Sequence, residues 1–172
     1  METKHAIIVL GKPNAGKSTT WYKLFGRVIR SGWKKLNFQN AEIPVLVKNS
    51  SPEESDIEID VFVRNASFEE QEDEIENYFD GWEQLPKIIF CSVQYTEHGK
   101  ETIDWFVNNN YKLYIQWLNQ GYRDAKPYED YLNFESEYKN KSHFVKFLST
   151  DVSRIEDIKK YCLSNIINSI AN

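Results

Sequence analysis

Residues 6–19 read Ala6-Ile7-Ile8-Val9-Leu10-Gly11-Lys12-Pro13-Asn14-Ala15-Gly16-Lys17-Ser18-Thr19. This stretch starts with a continuous apolar run, which is typical of a buried parallel strand. A turn bounded by glycines comes next, and an apolar stripe with helical spacing follows it. That stripe consists of Trp21, Leu24, Phe25, Val28 and Ile29. We therefore expect a strand over about 5–10, a glycine-rich turn, and a helix that ends near Ser31-Gly32.

The turn has the spacing G-x-x-x-x-G-K-S, with Gly11, Gly16, Lys17 and Ser18 at the specified positions. Glycines permit backbone angles that a Cβ would forbid, so successive amide N–H groups can turn inward on a phosphate chain. The following helix adds its unpaired N–H groups and the positive end of its dipole. In this pattern Lys17 reaches the β- and γ-phosphates, and the Ser18 hydroxyl holds Mg²⁺. The alternative is a chance match, which the flanking strand and helix disfavour.

The turn resembles the Walker A motif of the P-loop NTPases, and this resemblance implies that the whole turn binds a nucleoside triphosphate. The matching residues are Gly11, Lys12, Pro13, Asn14, Ala15, Gly16, Lys17, Ser18 and Thr19. The residue sequence of the turn, G-x-P-N-x-G-K-S-T, also resembles that of the Era/Obg-like GTPases. Two other motifs of those GTPases are missing, because Asp60 is followed by Val-Phe-Val in place of D-x-x-G, and no N-K-x-D occurs. Guanine specificity is therefore unsupported, and ATP and GTP both remain candidate ligands.

Composition indicates one globular unit, and we predict a single P-loop NTPase domain over residues 1–172. Cys91 and Cys162 lie in apolar stretches without metal-ligand spacing, which predicts reduced core thiols in a cytoplasmic protein. The net charge of −5 does not indicate nucleic acid as a partner. Lys34-Lys35 beside Trp33 is the only basic candidate, and a solvated helix end explains it equally well. We expect no signal peptide and no membrane span, since no apolar run approaches the roughly 18 residues required.

Apolar runs and alternation predict the remaining strands. The stretches 43–47 and 57–63 favour an antiparallel hairpin at the sheet edge, with the second strand half exposed. Three further stretches, 88–93, 111–117 and 144–148, each favour a strand. Helical patterns follow the strand at 88–93 and the strand at 144–148. This order predicts an α/β protein with three layers, a mostly parallel central sheet and an antiparallel edge hairpin.

Two capping boxes place helix starts. Ser67 with Glu70 predicts the start of an acidic helix over 67–83, and Ser153 with Glu156 predicts the start of the last helix. The apolar stripe of that last helix consists of Ile155, Ile158, Cys162, Ile166 and Ile170. Eleven acidic residues lie between Glu53 and Glu76. They are compatible with a cation site, but a solvated helix face beside an edge hairpin is favoured.

The architecture also resembles that of the small P-loop kinases, in its size, its P-loop at residue 11 and its terminal strand–turn–helix at 144–170. This resemblance implies a lid after the strand that ends at Trp117, and the weak periodicity of 124–141 allows a mobile or a partly helical segment. Arg123 is the arginine of this region, and the resemblance implies that it stabilises the transferring phosphoryl group. A surface ion pair is the alternative. The D-G-[FY]-P-R motif of the monophosphate kinases is absent, so the acceptor stays open.

A carboxylate near a strand end normally supports Mg²⁺ through water. The candidates are Asp60, within the strand at 57–63, and Glu97, after the strand at 88–93. We assign Ser18 and Asp60 to the metal, and Lys17, Arg123, Asp60 and Glu97 to catalysis. Gln94 is a further candidate for orienting a water or an acceptor.

Three functions fit these features. The first is an ATP-dependent phosphotransferase that acts on a nucleotide or another small molecule. The second is an NTPase or GTPase-like switch that acts through a protein partner, which the spelling of the turn favours slightly. The third is a binding module with a degenerate site. The phosphotransferase ranks first by a narrow margin.

Overall fold

The structure is a computed structural model and describes residues 3–38, 42–46, 58–71 and 74–167. Its strands are β1 (Lys4–Gly11), β2 (Gly32–Asn37), β3 (Val45–Leu46), β4 (Glu58–Arg64), β5 (Ile88–Gln94), β6 (Tyr111–Leu118) and β7 (Ser142–Phe147). Its helices are α1 (Lys17–Phe25), α2 (Ile75–Phe79), α3 (Glu97–Asn108), α4 (Phe134–Tyr138) and α5 (Ser153–Cys162). A 3-10 turn covers Glu69–Gln71, and a π-helical turn over Leu163–Ile167 continues α5.

The described strands form one sheet in the order β3-β2-β4-β5-β1-β6-β7. Five of them, β4, β5, β1, β6 and β7, are parallel, and β1 lies in the middle of this group. β2 and β3 extend the sheet beyond β4 as antiparallel strands. The carboxyl ends of the five parallel strands therefore share one edge, with the loop after β1 at its centre. The prediction of an α/β fold with a mostly parallel sheet is confirmed.

Helices cover both faces of the sheet, because the side chains of β1 alternate between two apolar clusters. Ile7 and Val9 belong to the first cluster, together with residues of α1 and α5. Ala6, Ile8 and Leu10 belong to the second cluster, together with residues of α2, α3 and α4. All five β1 side chains are fully buried. The fold therefore has three layers, and α1 and α5 lie on the same face.

Helix α1 ends earlier than predicted. Gly26 adopts a left-handed φ of 68° directly after Phe25 and caps the helix, so the expected end near Ser31-Gly32 is wrong. Val28 consequently lies outside the helix and is 77% exposed. Ile29 is still buried in the first cluster, because the loop after the helix carries it there.

An antiparallel sheet edge is confirmed, but its strands differ from the predicted hairpin. β2, which contains Lys34 and Lys35, was predicted as a helix end, and it lies between β3 and β4 and pairs with both. β4 is consequently an interior strand whose last four residues are buried. Its predicted half-exposed edge position is wrong, because β2 and β5 flank it. Val47, Ile57 and the predicted turn at 49–54 lie outside the described residues.

The first capping box is confirmed, although the helix after it is not. The Glu70 N–H donates to Ser67 Oγ at 3.3 Å, and the Ser67 N–H donates to Glu70 Oε2 at 3.2 Å. They start the short 3-10 turn in place of a helix over 67–83, and α2 begins only at Ile75. The box therefore fixes the direction of the Glu70 side chain.

At the start of α5, Asp151 takes the role predicted for Ser153. The backbone N–H and the hydroxyl of Ser153 donate to Asp151 Oδ1 at 2.9 and 2.7 Å. Ser153 is itself the first helical residue. Glu156 forms an ion pair with Lys159 at 3.2 Å, in the next helical turn. The predicted apolar stripe of α5 is buried as far as the structure describes it, and Ile170 lies outside the described residues.

The other predicted elements agree with the structure. β5, β6, β7 and α3 cover the predicted stretches within a few residues, and the 124–141 segment is partly helical because it contains α4. Cys91 and Cys162 are free and buried, as predicted. Within the described ranges, none of the helices combines the length and the apolar character that crossing a membrane requires.

Candidate functional site

The loop between β1 and α1 lies at the centre of the carboxyl edge of the sheet. Gly11, the last residue of β1, is level with Gln94 at the end of β5. Two loop residues, Asn14 and Gly16, have left-handed φ angles of 61° and 99°. Turns with such angles direct successive N–H groups into a concave surface that suits an anion. Because α1 begins at Lys17, its free N–H groups lie next to the same surface.

Lys17 is buried beneath this loop, with only 5% of its surface exposed. Its ammonium donates to the carbonyl oxygens of Gly11 at 3.2 Å and of Lys12 at 3.0 Å. Burial lowers the pKa of Lys17, and the neighbouring carboxylates of Glu70 and Glu69 act in the opposite direction. The side chain thus bends back over the loop and places a partly desolvated positive charge there.

A second buried cation supports the first turn of α1. Arg154 is 1% exposed and donates through Nε to the carbonyl oxygen of Ser149 at 3.1 Å and through Nη1 to Thr20 Oγ1. The Thr20 hydroxyl in turn donates to the carbonyl oxygen of Gly16 at 3.2 Å. Both hydrogen-bond acceptors of Arg154 are neutral oxygens, and the carboxylate of Asp151 also acts on its charge. Sequence patterns offered no signal for Arg154.

The segment after β6 packs directly on the loop. The Tyr122 N–H donates to the Ala15 carbonyl at 3.3 Å. A Cβ at Gly121 would lie 2.8 Å from Ala15 Cβ, so only glycine permits this approach. On the same side, the Lys12 ammonium lies 3.8 Å from the centre of the Tyr128 ring. These contacts join the predicted lid region to the loop.

Two carboxylates approach the loop from the opposite side, which carries the loop after β4. Glu70 Oε1 lies 3.8 Å from the Lys17 ammonium. Glu69 accepts from the Gln94 N–H at 3.4 Å and from the Thr102 hydroxyl at 2.8 Å. The charge pattern of the sequence predicted a solvated helix face for Glu69 and Glu70. The capping box was the available signal, because it marked Glu70 as a carboxylate with a fixed direction.

Asp60, predicted to share a metal with Ser18, is not brought to the loop. It lies two residues before Phe62, and Phe62 is level with Ile89 and Ala6. Gly11 lies five residues beyond Ala6, so seven residue rises, or roughly 23 Å along the strand direction, separate Asp60 from the loop. Asp60 instead opposes Lys35 of β2. We therefore remove Asp60 from the candidate metal and catalytic residues.

The other predicted residues lie at the carboxyl edge. Glu97 is exposed at the start of α3, on the face opposite α1. Gln94 is level with Gly11 and half-buried. Arg123 is exposed and directly follows Tyr122, whose N–H contacts the loop. Of the predicted catalytic residues, Lys17 and Arg123 therefore belong to segments in mutual contact, whereas Glu97 belongs to the other layer.

Two side chains near the loop have the chemistry to hold Mg²⁺. The Ser18 side chain is exposed beside the loop, and Glu70 supplies a nearby carboxylate. No group of three or more His, Cys, Asp or Glu suited to a metal occurs among the residues with described positions. Mg²⁺ needs no such cage, because it usually keeps several waters and binds through one or two protein oxygens plus substrate phosphates. Ser18 and Glu70 are thus the candidate protein ligands.

Comparison with protein-family models and with curated proteins finds no match for this chain. The geometry of the loop and its neighbours therefore carries the functional argument.

Proposed function

We propose that this chain is a P-loop protein that binds a Mg²⁺-nucleoside triphosphate in the loop from Gly11 to Thr19. The observation that carries the proposal is Lys17, a buried lysine held by two carbonyl oxygens of the loop at the carboxyl edge. A lysine loses hydration when it is buried, so an anionic ligand that neutralises it stabilises the complex. A phosphate chain in the loop supplies that charge.

Three further features support phosphate as the ligand. The left-handed Asn14 and Gly16 shape the loop, and the first turn of α1 contributes free N–H groups. Arg154 adds a second buried positive charge behind the loop. Lys17 and the helix dipole then act together on the terminal phosphates, and Mg²⁺ bound to the phosphates neutralises part of their charge.

Phosphoryl transfer to a small molecule is the favoured reaction. The loop is flanked on one side by the segment that carries Arg123 and on the other side by Glu69 and Glu70. Catalysis of phosphoryl transfer is mainly positioning and charge stabilisation. A positive group on one side of the phosphate would stabilise its charge, and carboxylates lie on the other side. We assign Lys17 and Arg123 to charge stabilisation. The acceptor is not specified by these residues.

A nucleotide-dependent switch is the second candidate, and the contact between Lys17 and Glu70 favours it. A γ-phosphate at Lys17 competes with the Glu70 carboxylate for the same ammonium. Glu70 belongs to a 3-10 turn of only three residues, so its displacement changes a short surface segment that a partner protein can recognise.

The test of the proposal is nucleotide binding by the Lys17→Ala variant. We expect calorimetry to show binding of ATP or GTP to the original chain with Mg²⁺ and loss of that binding in the variant. Lys23→Ala, an exposed lysine of the same helix, is the matched control and should bind normally. Equal affinity in Lys17→Ala and the original chain would falsify the proposal.

Release of ADP or GDP then separates the two candidate functions. We expect an acceptor from a panel of nucleoside monophosphates and small alcohols to accelerate release if the chain is a phosphotransferase. Slow release that none of the panel accelerates favours the switch.

A further inference from the structure

Arg64, the last residue of β4, is a buried cation that the proposed function does not use. Only 5% of its surface is exposed. The central carbon of its guanidinium lies 4.6 Å from the centre of the Tyr78 ring and 5.0 Å from the centre of the Phe68 ring. Aromatic faces attract a guanidinium and offset part of the cost of removing it from water. Arg64 thus joins the end of β4 to α2, at the carboxyl edge of the sheet.

The same guanidinium donates a hydrogen bond to the 3-10 turn at Glu69–Gln71. Its Nη2 atom lies 2.5 Å from Oε1 of Gln71, the last residue of the turn. Arg64 Nε is buried and has no hydrogen-bond partner among the residues that the structure describes. A buried charged donor that loses a partner costs free energy, so the bond to Gln71 is favoured. Arg64 therefore ties the end of the turn to the end of β4.

Each of the three residues of the turn contacts a different part of the protein. The Glu69 carboxylate accepts from a backbone N–H of β5 and from a hydroxyl of α3. The Gln71 side chain accepts from Arg64. Glu70 lies between these two anchored residues, and its carboxylate is the one that approaches the Lys17 ammonium. The position of Glu70 is therefore set by the anchors on both sides of it.

The ion pair between Glu70 and Lys17 is too weak to hold the turn by itself. The charged atoms are 3.8 Å apart, and 39% of the Glu70 side chain is exposed. Partly exposed ion pairs contribute little, because water and salt screen them, whereas a hydrogen bond from a buried guanidinium contributes more. The capping box with Ser67 fixes the Glu70 carboxylate within its own segment. The bond between Arg64 and Gln71 fixes that segment to the sheet.

We propose that Arg64 is a positioning residue that, through Gln71, holds Glu70 at Lys17 and so restrains the entry of phosphate into the loop. This inference rests on the proposed triphosphate binding, and it adds the regulation of that site. In the free protein, the tethered Glu70 carboxylate competes with phosphate for the buried ammonium. When Mg²⁺ accompanies the phosphates, the same carboxylate is near a cation that it can hold, so the tether no longer opposes binding.

The first test is the binding of ATP without Mg²⁺ to Gln71→Met, measured by calorimetry. Methionine keeps the length of the side chain and removes the acceptor, and the position is exposed, so the fold is retained. We expect the affinity to rise roughly two- to fivefold, up to that of Glu70→Gln, because both changes free Lys17 from a partly exposed carboxylate. The gain should vanish with Mg²⁺. Arg64→Met, which keeps an apolar stem between the two rings, should reproduce both results.

A double-mutant cycle separates positioning from a general effect on the fold. Gln71→Met should leave ATP affinity unchanged when it is introduced into Glu70→Gln, because the tether then holds no charge at Lys17. Gln84→Met, at an exposed position after α2, is the matched control and should change no affinity. A merely structural role predicts weaker binding with and without Mg²⁺. That result, an unaltered affinity in Gln71→Met, or an equal gain in both backgrounds would overturn the proposal.

A measurement without nucleotide keeps this inference distinct from the proposed function. A water-soluble carbodiimide forms an amide between a carboxylate and an amine that are in contact, so the yield of a Glu70–Lys17 crosslink, measured by mass spectrometry, reports their proximity. We expect this crosslink in the original chain, a severalfold lower yield in Gln71→Met and none in Glu70→Gln. Equal yields in Gln71→Met and the original chain, or no crosslink in either, contradict the role of Arg64. If the yields differ as expected but the original chain does not bind ATP, only the proposed function fails.

Discussion

The ammonium of Lys17 lies 3.8 Å from the carboxylate of Glu70. Lys17 begins the helix after β1, and Glu70 belongs to the 3-10 turn after β4. The Glu70 carboxylate therefore neutralises part of the positive charge of Lys17, to which the proposed phosphate would bind. Its carboxylate is held there by the Ser67 N–H. The contact would oppose the proposed phosphate binding, because two negative groups would compete for one buried cation.

Glu70→Gln should therefore bind ATP more tightly than the original chain when Mg²⁺ is omitted. Glutamine keeps the hydrogen bond to Ser67 but removes the negative charge. Because Glu70 is partly exposed, we expect a gain of about fivefold, equivalent to roughly 1 kcal/mol. Calorimetry in low salt measures this change. Glu76→Gln, an exposed carboxylate of α2, is the control, and weaker binding by Glu70→Gln would show that the carboxylate assists nucleotide binding.

Arg123→Ala should lower turnover and leave nucleotide affinity nearly unchanged. The guanidinium is exposed in the free protein, so its contact with phosphate forms mainly in the transition state. Steady-state release of ADP and separate calorimetry of ATP binding measure the two effects. Lys126→Ala removes a nearby exposed charge and serves as the control. If the rate of ADP release is unaltered in Arg123→Ala, the alternative role of Arg123 in a surface ion pair is favoured.

Gly121→Ala should weaken both the fold and nucleotide binding. The added Cβ would lie 2.8 Å from Ala15 Cβ and 2.9 Å from Ala15 Cα, so the segment after β6 must move away from the loop. We expect a loss of about 1–3 kcal/mol in the free energy of unfolding, together with lower ATP affinity. Urea unfolding and calorimetry measure the two quantities.

Gly81→Ala is the matched control for Gly121→Ala. Gly81 has a φ of 76° but no atom within 4 Å of an added Cβ. Its replacement costs about 1–2 kcal/mol in backbone strain and should not change ATP affinity. Equal effects of the two variants on ATP binding would argue against contact between the segment after β6 and the bound ligand.

Acid should destabilise the chain partly through His5, which is 2% exposed in β1. Burial, with a smaller effect of Lys112, lowers the pKa of His5 to about 4. The unfolded chain protonates His5 near pH 6.5, so between pH 6.5 and 4 the unfolded state binds more protons and acid favours unfolding. The full effect is at most about 3 kcal/mol and is absent above pH 7.

Urea unfolding between pH 7.5 and 4 measures this contribution as a slope. His5→Gln should have a flatter dependence on pH than the original chain, whatever its absolute stability. His98→Gln, at an exposed position of α3, should keep the original slope. Parallel curves for all three proteins would show that His5 titrates alike in the native and unfolded states.

The elements that sequence patterns predicted well are those in which every local signal agrees. β1 and β5 are continuous apolar runs that end at a turn, and both lie where the pattern placed them. β2 could not be predicted, because Lys34 and Lys35 break its apolar content and its neighbours were assigned to a helix. Only pairing with β3 and β4 makes this stretch a strand, and pairing between distant segments is invisible to a local pattern.

The candidate site likewise contains residues that local patterns predicted and residues that they did not. The loop and Lys17 were predicted from the spacing together with the flanking strand and helix, because the proposed phosphate-binding motif occupies a single short segment. Glu70, Tyr122 and Arg154 reach the loop from other segments. The capping box with Ser67 marked the direction of the Glu70 side chain, whereas no local pattern marked Tyr122 or Arg154. Asp60 was misplaced for the opposite reason, because a carboxylate within a strand shows no sign of which end of the sheet it will occupy.

The hydrogen bond between Arg154 and Thr20 has a consequence for synthesis of the chain on the ribosome. The loop is made before Arg154 and Ser149, which support its helix and follow all the described strands. A nascent chain that lacks β6 and β7 also lacks the segments after these strands, which pack against the loop. The proposed nucleotide is therefore expected to meet a finished site only after these segments are made, so it cannot guide the early steps of folding.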